Sequence, residues 1–180
     1  MKHLKSIFTL VTLMLISAVS WSQEENVTIT VDTLTNEVYM LTGQGGNIGL
    51  YVNTTNTYMI DDQFARLSPK IKQAISTITK QPVTYLFNTH MHGDHTGGNA
   101  EFNTNTTTLI AQDNVRKSLE QRITEKPELS KDILPEISFS EELKLYQDDE
   151  TIMAFHVHNA HTNGDAMIYF MKNNVLHMGD

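Results

Sequence analysis

The sequence predicts an α/β domain, and three observations carry that expectation. Ser68-Pro69 opens a stretch in which Ile71, Ile75 and Ile78 share one helical face. The run Val83 to Phe87 is apolar apart from Thr84, as a strand buried on both faces is. It feeds directly into the polar stretch Asn88-Thr89-His90, and the order strand, helix, strand, polar loop is the one in which ligands gather beyond the carboxyl ends of strands.

The elements follow in order. Lys2 and Lys5 precede the uncharged apolar run Ile7 to Val19, and small residues stand at Ala18, Ser20 and Ser22. This is the layout of a cleaved secretory leader over 1–22, with the domain over 23–180. The run is shorter than the roughly 18 to 20 residues that a membrane span needs, so a retained anchor is the weaker alternative. Val27 to Val31 alternates as a half-buried strand does, and Glu37 to Leu41 and Ile48 to Val52 read as further strands. Between them Gly43-Gln44-Gly45-Gly46-Asn47 lacks the GxxxxGK[ST] pattern and reads as a turn. Asn53 to Asn56 is a hairpin tip, and Thr57 to Ile60 is a strand ending at Asp61-Asp62. Ser68 is the expected N-cap of the helix. Thr106 to Ala111 reads as a strand, Asp113 as the cap of a helix to about Ile123, and Glu125 to Glu136 as a charged surface loop. Leu143 to Tyr146, Thr151 to His158, Ala166 to Met171 and Val175 to His177 make a strand-rich second part.

Composition narrows the function. With 180 residues, 39% of them hydrophobic, the chain suits one compact domain. It has no cysteine, which excludes a lipoprotein anchor, disulfides and thiolate ligands, so any metal is held by imidazole and carboxylate. Loss of Lys2 and Lys5 with the leader takes the formal charge from −8 to −10. No basic cluster is present, which argues against nucleic acid and leaves a small molecule as the expected partner. A periplasmic or secreted location follows from the leader.

The decisive segment is Asn88-Thr89-His90-Met91-His92-Gly93-Asp94-His95-Thr96-Gly97-Gly98-Asn99. On an extended or turning backbone His90 and His92 point the same way and can grip one metal, while Asp94 and His95 turn toward a second. The helical HExxH arrangement is different, with its histidines four apart. Gly93, Gly97 and Gly98 are expected to supply positive φ in a tight ligand loop. His156 and His158 lie two apart on a strand and read as hydrogen-bonded packing residues, with an approach to the metals as the alternative. His177 reads as buried support. Tyr85, Phe87, Phe155, Tyr169 and Phe170 read as core, and the Asn/Thr tracts at 53–57 and 103–108 as solvated turns.

His90-x-His92-x-Asp94-His95 resembles the HxHxDH signature of the metallo-β-lactamase superfamily, and the resemblance runs from about Val38 to Asp180. Ala160-His161-Thr162-Asn163-Gly164-Asp165 resembles the segment carrying that family's third histidine for the first metal. Val175 to Asp180 resembles its bridging-ligand segment. Asp61 resembles its first-motif aspartate, which supports the metal loop without binding metal. The resemblance implies an αββα sandwich with its second half incomplete. His90, His92 and His161 would then hold one zinc and Asp94 and His95 a second, with Asp180 bridging and iron or manganese as substitutes. It also implies hydrolysis of an amide, lactam, lactone or (thio)ester bond, with Asp94 as the group that orients the nucleophile or moves a proton. The family's last histidine ligand lies further along than the bridging residue, so the chain is expected to be part of a longer one. Three other readings belong to the same residues: a true β-lactamase, an iron-dependent persulfide dioxygenase-like enzyme, and an inactive zinc-binding fragment.

Overall fold

Side-chain alternation along the strands decides the architecture. In the computed structural model, which describes residues 27–180, Leu86 of the central strand packs into one apolar cluster and Phe87 into another. The carboxyl half of that strand, Leu86 to Asn88, is therefore buried on both faces, while Val83 to Tyr85 are half-buried. The leader expected at 1–22 lies outside the described residues. Among the described residues no helix is long and apolar enough to cross a membrane.

Seven strands form the first sheet in sequence order: β1 (Thr30–Thr33), β2 (Val38–Thr42), β3 (Ile48–Val52), β4 (Thr57–Ile60), β5 (Val83–Asn88), β6 (Thr108–Gln112) and β7 (Ile137–Phe139). Pairing is antiparallel from β1 to β4 and parallel from β4 to β7. Helix α1 (Ser68–Ile78) carries the chain from β4 to β5. The short helices α2 (Gly93–Thr96) and α3 (Asn99–Phe102) lie between β5 and β6, and α4 (Asp113–Glu125) between β6 and β7. The second sheet is an antiparallel meander of β8 (Glu142–Gln147), β9 (Glu150–His156), β10 (Ala166–Phe170) and β11 (Val175–His177).

Two apolar layers result. Tyr51, Tyr58, Ile60, Phe87 and Ile110 of the first sheet meet Ile152, Ala154, Ile168 and Phe170 of the second. On the other face Ile71 and Ile75 of α1 cover Leu50, Met59, Leu86 and Leu109. Val115 and Leu119 of α4 cover Ala111. Helix, sheet and sheet thus stack as three layers of the expected sandwich, and among the described residues no helix covers the outer face of the second sheet.

Several local expectations are corrected. Ser68 is not the N-cap of α1, because a 3-10 turn at Ala65–Leu67 runs into the helix and puts Leu67 at the cap. The α4 cap is Gln112, whose side chain accepts from the Asn114 amide, and not Asp113. The first strand begins at Thr30 and is exposed throughout, while Val27 and Ile29 before it pack on the α1-side core. Ile137 to Phe139, read as following a loop, adds a seventh strand. Tyr85 and Phe170 sit in or against the inter-sheet core, but Phe155 and Tyr169 do not. These two share the outer face of the second sheet with Met153 and Met167, half-buried.

Candidate metal centre

Strands β4, β5 and β6 run parallel, so their carboxyl ends deliver polar residues to one edge. β4 ends at Asp61-Asp62, β5 at Asn88-Thr89-His90, and the α2–α3 segment wraps over that edge. Its backbone is fixed by buried polar bonds. Asn88 donates to the His95 carbonyl and pairs with Asn99, whose amide also reaches the Ile133 carbonyl. Arg122 of α4 donates to the Met91 carbonyl at 2.8 Å, pinning the residue between His90 and His92.

Asp61 is the post on which the loop is hung. It is fully buried with φ +61°, in the left-handed region that aspartate tolerates better than most residues. Its Oδ1 accepts from the Thr89 amide at 2.8 Å, and its Oδ2 accepts from Thr89 Oγ1 and lies 2.7 Å from His95 Nδ1. A carboxylate there makes Nδ1 the protonated nitrogen and turns His95 Nε2 outward as a lone pair. Asp61 is therefore placed as support behind the histidines. Asp62 beside it is also fully buried, accepts from the Gly98 amide, and is held well above the usual carboxylate range by burial.

The histidines converge. His90 Nε2 lies 3.1 Å from His92 Nδ1, and His161 Nε2 lies 2.9 Å from that same Nδ1. One nitrogen thus faces two others, and the ring pairs His90–His161 and His92–His161 are 4.9 and 4.7 Å apart. A second group joins His90, His95 and Asp180. Asp180 spans the two groups, with Oδ1 3.1 Å from His95 Nε2 and Oδ2 3.9 Å from His161 Nε2. Asp94 belongs to neither group of three, but its Oδ2 lies 3.8 Å from His95 Nε2. All six residues picked from the sequence therefore meet at one edge.

The donor set fits a divalent metal. Zinc–imidazole bonds of about 2.0–2.1 Å in tetrahedral geometry place ligand nitrogens a little over about 3 Å apart, close to the separations seen. His95 Nε2 is buried without a hydrogen-bond partner, which is costly for a polar atom unless something else fills the role. His156 and His158 stand apart from these groups. His156 Nδ1 is bonded to the Asp165 carbonyl and His158 Nε2 to Glu141, but only His156 is half-buried on the strand, while His158 lies two residues past its end and is exposed. His177 is half-buried with its Nε2 3.2 Å from the Asn47 carbonyl, and burial lowers its pKa.

Burial splits the titration of the site. It lowers His90 to about 4, helped by the charge of His95. Burial also opposes the charge on His95, but the Asp61 bond and the carboxylates of Asp61, Asp180 and Asp94 outweigh it, so His95 is raised above 6.5. In the metal-free protein, imidazole NMR is expected to show His95 protonating before His90 as pH falls, with His90 near 4. His90 is neutral when folded and charges below about 6.5 when unfolded. Its contribution to stability is therefore full above that pH and is lost as pH falls through about 4. The reverse order of the two rings would contradict this account.

The segment at 43–47 is the turn expected from its glycines, but its role is one the sequence did not reveal: it forms a wall of the site. A Cβ on Gly45 would sit 2.7 Å from Asp94 Cβ, and one on Gly46 would collide with the His95 ring. Gln63, itself buried with φ +56°, holds the turn there by donating to the Gly46 carbonyl at 2.6 Å. The expectation of positive φ at Gly93, Gly97 and Gly98 is corrected: among the described glycines only Gly45 and Gly179 have it. Gly97 and Gly98 are needed because backbone crosses them closely, with the Gln63 and Asp62 carbonyls each 2.8 Å from a would-be Cβ.

The fold has close counterparts among solved structures. A subclass B3 metallo-β-lactamase of Bradyrhizobium japonicum superposes with a TM-score of 0.68 at 20% identity, over 79% of this chain and 57% of that one. A metallo-β-lactamase from Pontibacter korlensis gives a TM-score of 0.68 at 16% identity, over 83% and 70% of the two chains. One from Elizabethkingia meningoseptica gives 0.68 at 20% identity, over 82% and 57%. The chain thus spans little more than half the length of the first of these relatives. A comparison with curated proteins gives no match. The model of the metallo-β-lactamase superfamily matches residues 41–180, and the chain belongs to this superfamily.

Proposed function

We propose that this chain is the metal-binding part of an exported zinc-dependent hydrolase that cleaves an amide, lactam, lactone or (thio)ester bond. The observation that carries the reading is the convergence of His90, His92 and His161, the last from a segment 69 residues beyond His92, onto one point about 3 Å across. These three would hold the first zinc. Asp94 and His95 would hold a second, with Asp180 between the two. A bound cation of this class acidifies water and polarises a carbonyl.

The chain's own residues divide the remaining work. His90 and His95 form a dry floor, each 1% exposed or less, so their rings keep one orientation. His161, Asp94 and Asp180 form the open side, each with roughly a third or more of its side chain in solvent. A small substrate would enter from that side. Asp94 is the proton acceptor and donor, about a third exposed, with its Oδ2 3.8 Å from His95 Nε2 at the same edge. Asp61 and Thr89 keep the His95 tautomer fixed through the reaction.

Export to the periplasm or beyond is supported by the leader pattern at 1–22, which has no cysteine to carry a lipid. β-Lactams are the specific second substrate class, favoured by the likeness of the fold to proteins described as metallo-β-lactamases. Metal analysis of the purified full chain, with nitrocefin, lactones and thioesters as substrates, tests the reading. One to two zinc at this centre are expected, and His161→Ala and Asp94→Asn should each abolish the turnover found. Iron in place of zinc together with oxygen consumption would replace hydrolysis by a redox function. Full turnover in either variant would remove the mechanism.

A further inference from the structure

Away from that centre, the last residue of β9 and the one two places beyond it form a second pair of imidazoles that the proposed hydrolase does not use. The rings of His156 and His158 meet edge to face with centroids 4.2 Å apart. Both line an open polar pocket of about 520 Å³, together with Asp113, Glu141 and Asn163. The backbone fixes the arrangement, because the His156 amide donates to the Glu141 carbonyl at 2.8 Å and sets Glu141 across from the pair.

The protonation of each ring follows from its partner. His156 Nδ1 lies 2.7 Å from the Asp165 carbonyl, which can only accept, so Nδ1 carries the proton and Nε2 is a lone pair. His158 Nε2 lies 3.0 Å from Glu141 Oε2, so its proton sits there and Nδ1 is the lone pair. A backbone carbonyl behind one imidazole and a carboxylate behind the other are the partners that orient histidines toward metals. Two neighbouring imidazoles, each presenting a lone pair, suit a borderline cation such as zinc. Among the described residues only the two groups of the main centre already draw three donor atoms within 4.8 Å. This pair is therefore half of a site. The His158 side chain, 62% in solvent, is free to adjust with Glu141 still on its Nε2, and water completes the shell.

We propose that His156 Nε2 and His158 Nδ1, backed by Glu141, form an accessory zinc site distinct from the centre at His90, His92 and His161. Occupancy would tether the end of β9 to the segment that leads three residues later to His161. The proposal stands whether or not the chain is a hydrolase.

Zinc is the probe, titrated into the full chain by calorimetry with direct metal analysis. Wild type is expected to bind one equivalent more than His158→Ala, and Glu141→Gln is expected to weaken that equivalent while leaving the tighter zinc in place. The same extra equivalent should persist in His92→Ala, which damages only the main centre. Long-range imidazole ¹⁵N spectra should shift at His156 Nε2 and His158 Nδ1 when zinc is added. His158→Ala and Glu141→Gln change exposed side chains, so folding is retained and can be checked by the same spectra. Equal zinc content in wild type and His158→Ala would overturn the accessory site, as would disappearance of the extra equivalent in His92→Ala.

Discussion

Asp61→Ala is expected to lower stability by about 3–5 kcal/mol, the range for breaking a buried charge network by removing one partner, and to strip zinc from the centre. The carboxylate is fully buried and serves Thr89 twice and His95 once. Removing it leaves a buried amide and hydroxyl without their acceptor and frees the His95 ring to turn. Alanine also adopts the left-handed backbone at φ +61° reluctantly, at a further cost on the order of 1 kcal/mol. Asp61→Asn separates the two effects, since asparagine tolerates that backbone but places an amide where the charge stood. It should recover part of the stability and little of the zinc affinity. Urea melts and zinc titrations of the two variants read the two quantities. An unchanged melt with full zinc binding in Asp61→Ala would show that the carboxylate is not what orients His95.

How much of this was legible in the sequence depends on the range over which each feature is decided. His90, His92, Asp94 and His95 are local, so six consecutive residues declared them. His161 and Asp180 came from the order of segments resembling a family, because nothing local distinguishes a ligand histidine from His156 or His158. The strands read well where alternation or a continuous apolar run decides them, as at β3, β5 and β11. They read poorly where tertiary cover decides instead. Phe155 and Tyr169 look like core in sequence, yet fall on the face of the second sheet that no described helix covers. Ser68 looked like a cap because capping chemistry is local, but the preceding 3-10 turn had already taken over the role. The role of the glycine turn was the largest omission. It is set by residues about fifty positions away, and only the distance from Gly46 to His95 in space reveals it.

That omission yields the sharpest contrast between two single methyl groups. Gly46→Ala puts its Cβ into the His95 ring, 2.5 Å from Nε2 and closer still to Cε1. The ring cannot retreat, because it is 0% exposed and Asp61 grips its Nδ1 at 2.7 Å. The turn cannot easily retreat either, with Gln63 on the Gly46 carbonyl and Arg66 on Gln44 at 2.8 Å. Overpacking of this kind costs about 1–3 kcal/mol in stability. The larger loss should be at the metal, since a displaced ring moves the nitrogen 3.1 Å from Asp180 Oδ1 and a displaced turn shifts the wall that Gly45 sets against Asp94. Gly46→Ala is thus expected to lose the zinc shared by Asp94, His95 and Asp180 while keeping the one at His90, His92 and His161. Gly93→Ala, inside the signature itself, has nothing within 4 Å of the added carbon and should leave both zinc content and the melting midpoint unchanged. If zinc analysis finds Gly93→Ala the more damaging of the two, the ligand loop is governed by its own backbone and not by the wall pressed against it.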